Sequence, residues 1–166
     1  MPPPKVSAAS HVEAQLTLEA LADAPRLIAR VARGRTARQL HRAPAPAAWS
    51  ARDIVAHLRA CAEVWGRSID RMLAEDHPTI RYISPRGWLQ KTNYLEQSFA
   101  DLLQDFSHER RALVKGLRSL SPAAWGRGAT FTGTALGRSS AVLSYVRRIA
   151  DHETHHLDQL RRTLGP

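Results

Sequence analysis

The sequence predicts an all-α protein folded as one four-helix bundle, and three observations carry that prediction. Apolar residues recur at helical spacing in four separate segments, and no segment alternates as a half-buried strand does. Ala, Leu and Arg dominate while β-branched residues are sparse, a composition that favours helix over sheet. A chain of 166 residues with 43% apolar side chains can bury one core without disulfides or a structural metal.

The first segment is the least regular. Leu16, Ala20, Leu27, Ile28 and Val31 lie at helical spacing, but Pro25 interrupts them. Asp23 just before Pro25 predicts a fresh helix start, so the expected order is a short turn, then a helix ending near Gly34. The opening Met1-Pro2-Pro3-Pro4-Lys5 has no apolar signal core, and residues 1–12 read as a disordered lead-in to a single domain over 13–166.

The second helix starts sharply. Ser50 can cap it and Asp53 stands three residues on, an acidic variant of the capping box. Ile54, Leu58, Cys61, Trp65, Ile69 and Met72 then form one apolar face, and Pro78 ends the helix. Residues 77–91, with Pro85 and Gly87, make a long connection, so the second and third helices are not expected to be hairpin partners. The third helix is predicted over 92–120, with Leu95, Phe99, Leu102, Leu103, Phe106, Leu113, Val114 and Leu117 on its apolar stripe. Ser121-Pro122 opens a short helical turn, and Gly126, Gly128, Gly133 and Gly137 mark an irregular loop. The fourth helix is expected to start near Ser139, with Val142, Ile149, Leu157, Leu160 and Leu164 facing the core.

Charge and cysteine content narrow the function classes. The formal net charge is +9, nearly all of it arginine, and residues 26–52 hold seven arginines and no acid. Arg26, Arg30 and Arg33 would share one helix stripe. No nucleic-acid motif and no aromatic platform accompanies them, so a nucleic-acid partner is not expected. Cys61 is the single cysteine, which rules out a disulfide within the chain. No apolar stretch reaches membrane-spanning length. The expectation is a cytoplasmic protein with no membrane partner.

The chemistry sits in the histidines. His11, His41, His77 and His108 read as surface or loop residues, which leaves His57 and the cluster His152, His155 and His156. At about 100° per residue, His156 falls roughly 50° from the centre of the fourth helix's apolar face, His152 at its edge, and His155 on the polar side. His57 occupies the matching edge of the second helix. Two imidazoles at i, i+4 can bind one ion from one side, and a third from a facing helix completes a set that leaves positions open for water or substrate. An i, i+4 histidine pair also occurs with no ion at all, so the set depends on His57 converging with it.

His152-Glu153-Thr154-His155-His156 also fits the H-E-x-x-H pattern of zinc metalloproteases, which requires Glu153 as general base beside the metal. The usual downstream third ligand is missing, since only Asp158 follows, and no strand is evident to hold a peptide. Glu153 is therefore expected to face solvent, near arginines in helical register.

At this point the sequence resembles the DinB-like family of metal-binding four-helix bundles. The resemblance lies in Trp49-Ser50 opening a helix, in Asp53-Ile54-Val55-Ala56-His57-Leu58 within it, and in Ile149-Ala150-Asp151-His152-Glu153-Thr154-His155-His156-Leu157-Asp158-Gln159-Leu160. It implies that His57, His152 and His156 are the ligands of a divalent metal ion, with zinc or nickel favoured. It further implies an unusual bundle topology with a long connection between the second and third helices, and a homodimer. Relatives transfer low-molecular-weight thiols such as bacillithiol or mycothiol, or act as thiol-dependent isomerases. The implied function is a metal-dependent transferase, with a thiol cosubstrate, or a hydrolase acting on a small-molecule substrate. The alternative is a non-enzymatic, metal-stabilised stress or binding module that presents residues 26–52 to an anionic partner. Cys61 lies one turn after His57, and Tyr145 and Gln159 lie on the metal side of the last helix; each is placed to touch the site or simply to pack beside it.

Overall fold

The computed structural model describes residues 8–133 and 138–165. Four long helices make the bundle: α1 (Ala8–Ala32), α3 (Ala51–Ala74), α5 (Phe99–Arg118) and α7 (Val142–Leu164). Between them lie the short helices α2 (Ala37–His41), α4 (Pro85–Leu89) and α6 (Pro122–Trp125), a 3₁₀ turn at Tyr94–Glu96, and the strands β1 (Thr79–Arg81), β2 (Gly128–Thr132) and β3 (Arg138–Ala141). Among the described residues no helix is long and apolar enough to cross a membrane.

Each long helix packs against two others. α3 lies beside α5 and α7, and α1 lies beside α7 and α5. Helices consecutive along the chain, α1 with α3 and α5 with α7, therefore sit diagonally across the bundle. A two-residue hairpin cannot join diagonal helices, so the links 33–50 and 119–141 are long. The 75–98 link is long because α3 and α5, though neighbours, both run toward the sheet end, so the chain must return the length of the bundle between them.

Those links are docked. In the 75–98 link, Trp88 Nε1 and the Tyr94 hydroxyl each donate to Glu63 of α3 at 2.7 Å. Arg59, one turn earlier on α3, donates to Gln97 at 2.9 Å and lies 4.2 Å from the centroid of the Tyr94 ring. The same link supplies β1, which pairs parallel with β2, and β2 pairs antiparallel with β3. This small sheet was not expected from the sequence. Its strands are three to five residues long, too short to show a period. Only Ile80, Ala129 and Phe131 in it are buried hydrophobics.

The sheet also moves a helix boundary. Ser139 and Ser140 belong to β3, so α7 begins at Val142 rather than near Ser139. At the other end of the third segment, Ser98 caps α5 by accepting from the Asp101 amide at 3.1 Å, so this helix begins at Phe99 rather than at residue 92.

α1 departs from expectation in three ways. Pro25 lies inside a continuous helix, and Asp23 pairs with Arg26 instead of capping a new start. Proline removes one amide donor from a helix; burial of Leu18, Leu21 and Ile28 on either side holds the segment helical across it. The buried face is Ala14, Leu18, Leu21, Ala24 and Ile28, whereas Leu16 is exposed. Helix begins at Ala8, within the segment expected to be a lead-in, and residues 1–7 lie outside the described residues.

The core divides into two clusters along the bundle axis. One, at the sheet end, gathers Leu21, Met72, Leu117, Phe131 and Val146; the other gathers Ile28, Ile54, Leu58, Phe106 and Leu160. At the waist between them lie the buried Arg110 and Glu153, and on α7 the histidines flank Glu153.

Candidate metal centre

The start of α3 sets the position of His57. Ser50 accepts from the Asp53 amide at 3.2 Å, and the Asp53 carboxylate accepts from the Ser50 amide at 3.0 Å, the reciprocal capping box read from the sequence. With the helix start pinned, His57 is carried two turns in, facing α7. There His152 and His156, one turn apart, present their rings to it.

The three imidazoles meet through the same atom. His152 Nε2 lies 3.4 Å from His57 Nε2 and 3.1 Å from His156 Nε2. One nitrogen from each ring lies within 4.8 Å of the others, a grouping able to hold a metal ion. His57 and His156 are buried, at 5% and 7% exposure. Aromatic rings wall the cluster: Trp49 lies 4.9 Å from His57 between centroids, and Trp65 meets His152 edge-on at 4.8 Å. His155 is exposed on the outer face of α7.

The protonation state suits an ion. Burial first, and then the other histidines and Arg86, hold the imidazolium form of His57 down to a pKa of about 3. Burial with His156 and His155 holds His152 to about 4, and burial likewise lowers His156. All three rings are neutral at pH 7, the form that coordinates a metal. His156 Nδ1 donates to Gln159 Oε1 at 2.7 Å, which places the ring proton away from the cluster and leaves an Nε2 lone pair aimed into it. Three neutral nitrogen donors, one tautomer fixed from behind, fit a divalent transition-metal ion.

Two cavities flank the triad. One, of about 600 Å³, reaches His156 and is lined by Trp49, Arg86, Gln159 and Arg162 among others. The other, of about 740 Å³, reaches His152 past Trp65, Phe131 and Tyr145.

The family model for the DinB superfamily matches residues 20–160, most of the chain and all three histidines. The chain belongs to the DinB superfamily. Among solved structures, this DinB chain resembles YfiT from Bacillus subtilis, described as a probable metal-dependent hydrolase with an unusual four-helix bundle topology. The identity is 18%, the TM-score is 0.80, and the match covers 98% of this chain and 91% of that one. No curated protein sequence matches.

Against that DinB fold, one sequence expectation fails. Glu153 does not face solvent: it is 3% exposed and paired with Arg110, itself 1% exposed, on α5. The reason lies in helical register. Val146, Ile149, Glu153, Leu157 and Leu160 form one continuous stripe, as do Phe99, Leu102, Phe106, Arg110, Val114 and Leu117. Both charged residues occupy core positions, and each is sheltered by the other. Glu153 is thereby paired across the core with Arg110 and lies outside the group able to hold an ion, which is not the solvent-accessible position beside the metal that the metalloprotease pattern requires.

Other flagged residues divide. Cys61 Sγ lies 3.4 Å from His57 Nε2, yet it falls outside the group that can share an ion. Burial, reinforced by Glu153, pushes its thiol far above the usual range. Tyr145 stacks on Phe131 at 5.0 Å and lines the cavity beside His152. His11, His41, His77 and His108 are exposed, as expected. Within residues 26–52, Arg26 pairs with Asp23 and Arg52 with Asp53, so acids just outside and just beyond the run partly neutralise its ends.

Proposed function

We propose that this chain holds one divalent ion, zinc or nickel, through His57, His152 and His156, and acts as a metal-dependent enzyme on a small molecule. The carrying observation is the convergence of three neutral imidazole nitrogens, from two helices, between two cavities open to solvent-borne ligands. Three protein donors leave room for a further ligand, the arrangement of catalytic rather than structural sites. The description of YfiT as a probable metal-dependent hydrolase supports hydrolysis as the first reaction to assay, with transfer of a low-molecular-weight thiol as the second.

The ion would supply Lewis acidity, lowering the pKa of a water or thiol that reaches it. The chain supplies the rest. Gln159 keeps the His156 proton on Nδ1. Trp49 and Trp65 pack against the histidine rings and exclude water from their flanks. Arg110 neutralises Glu153 at the waist and so keeps a free carboxylate from competing for the ion.

Elemental analysis tests the reading. Purified protein is expected to carry close to one equivalent of zinc or nickel. His57→Ala and His156→Ala should lose it, and His155→Ala should keep it. Full metal content in the His57 and His156 variants would refute the site. Turnover of ester, amide or phosphoester panels by water supports hydrolysis; turnover only with an added small thiol supports transfer.

A further inference from the structure

The cavity beside His156 has a chemical bias that the metal reading does not use. Its lining includes Arg86 and Arg162 and no aspartate or glutamate. Neither arginine has a carboxylate partner among the described residues. Arg86, on α4, is held in place by its guanidinium lying 4.9 Å from the centroid of the Trp49 ring. Arg162 stands in the last turn of α7, a turn and a half beyond His156. The two come from different helices, so the cavity they line is a positive pocket that also reaches the His156 ring.

The cavity at His152 is built differently. It is more aromatic, it carries Asp151, and one of its arginines, Arg147, is already paired with Glu13 at 2.6 Å. The asymmetry between the two faces of the centre lies in their acids and apolar surface: the His156 cavity is acid-free, whereas the His152 cavity is more apolar and sets Asp151 and the Glu13-paired Arg147 beside Arg138 and Arg148. Unpaired arginines around a concave, half-enclosed site are donors awaiting an oxyanion, which a guanidinium meets with two parallel hydrogen bonds.

We propose that the pocket between Arg86 and Arg162 is an anion subsite, and that the substrate is a small molecule bearing a carboxylate or phosphate group which docks there with its reacting atom toward His156. This inference rests on the metal-dependent reading for the chemistry it serves, but the subsite itself is built from residues that do not ligate the ion. Arg86 and Arg162 are positioning residues: they fix the anionic end of the molecule.

The test separates the subsite from the metal. Binding of inorganic phosphate, acetate and its neutral analogue acetamide is measured by calorimetry on the full chain, both zinc-loaded and metal-free, alongside Arg86→Gln and Arg162→Gln, with zinc content recorded for each. The expected result is oxyanion binding weakened about tenfold by either substitution, with zinc content unchanged, no binding of acetamide, and weakening by added salt. Preference for phosphate over acetate assigns a phosphate-bearing substrate, and the reverse assigns a carboxylate. Oxyanion binding that is identical in wild type and both variants overturns the subsite, as does acetamide binding as well as acetate. Absence of zinc from wild-type protein would sink the metal reading instead. The metal-free titration would still report on the arginines, so the two failures are told apart. Circular dichroism and thermal melts of both variants, expected to match wild type because both arginines are exposed, exclude loss of fold as the cause.

Discussion

Removing one partner of the Arg110–Glu153 pair should damage this protein far more than removing both. The side chains are 1% and 3% exposed, so solvent screens neither charge. Leaving one unpaired charge in such a site costs about 3–5 kcal/mol. Glu153→Leu or Arg110→Met alone should therefore lower the melting temperature by roughly 6–20 °C, at about 2–4 °C per kcal/mol for a domain of this size. The double variant should behave otherwise. Arg110 Nε and Glu153 Oε2 are buried without a hydrogen-bond partner, so the pair is only half satisfied and its desolvation is poorly offset. Replacing both with apolar residues of similar volume should return stability to within about 1 kcal/mol of wild type, or exceed it. The assay is a double-mutant cycle by urea or thermal unfolding of metal-free protein, so that ion binding does not contribute. Additive losses in the double variant, or a negligible loss in either single, would refute the reasoning.

Four further outcomes follow from the same geometry. His57 has a folded pKa of about 3 against an ordinary 6.5, so between those values the unfolded chain binds the extra proton. Metal-free protein should then gain stability with rising pH in that window, by up to about 1.4 kcal/mol per pH unit for this ring. The gain should flatten in His57→Phe, read from urea melts at pH 5 and 7; equal slopes in the two proteins would be evidence against a buried neutral His57. Gln159→Leu should weaken metal affinity about 10- to 100-fold by freeing the His156 tautomer, measured by chelator competition. Cys61→Ala should keep one equivalent of metal, because Sγ lies outside the shared nitrogen group; loss of metal on elemental analysis would make Cys61 a ligand. Glu63→Ala should cost about 1–3 kcal/mol by unpinning Trp88 and Tyr94, and should expose the 75–98 link to limited proteolysis.

Much of the site was legible because it rests on local rules. The Ser50–Asp53 capping box is visible as spacing, and it fixes the register that carries His57 inward. The separation of His156 and His152 from His155 follows from 100° per residue, and the structure buries or half-buries the first two while exposing the third. What stayed hidden was non-local. Glu153 stands on the core stripe by spacing alone, but its charge argued for solvent until Arg110, on another helix, was placed against it. β1 pairs with a strand about fifty residues away, and nothing in three residues announces that partner. In α1, small alanines around every turn make several stripes look alike, and only packing selected Leu18 and Leu21 over Leu16.

The diagonal placement of consecutive helices has a kinetic consequence. α1 packs on α5 and α7, so its apolar face waits for elements made later, and its seam with α7 cannot close until that helix has been synthesised. A simple up-and-down bundle zips from nearest-neighbour hairpins; here α3 and α5 can pack as consecutive helices, but the α1–α7 seam joins segments more than a hundred residues apart, which raises the contact order and is expected to slow folding. Until α5 and α7 have both arrived, Leu18, Leu21 and Ile28 lack their full cover on the nascent chain. The same final helix brings two of the three imidazoles, so an intact ion-binding cluster would report that the chain has finished folding.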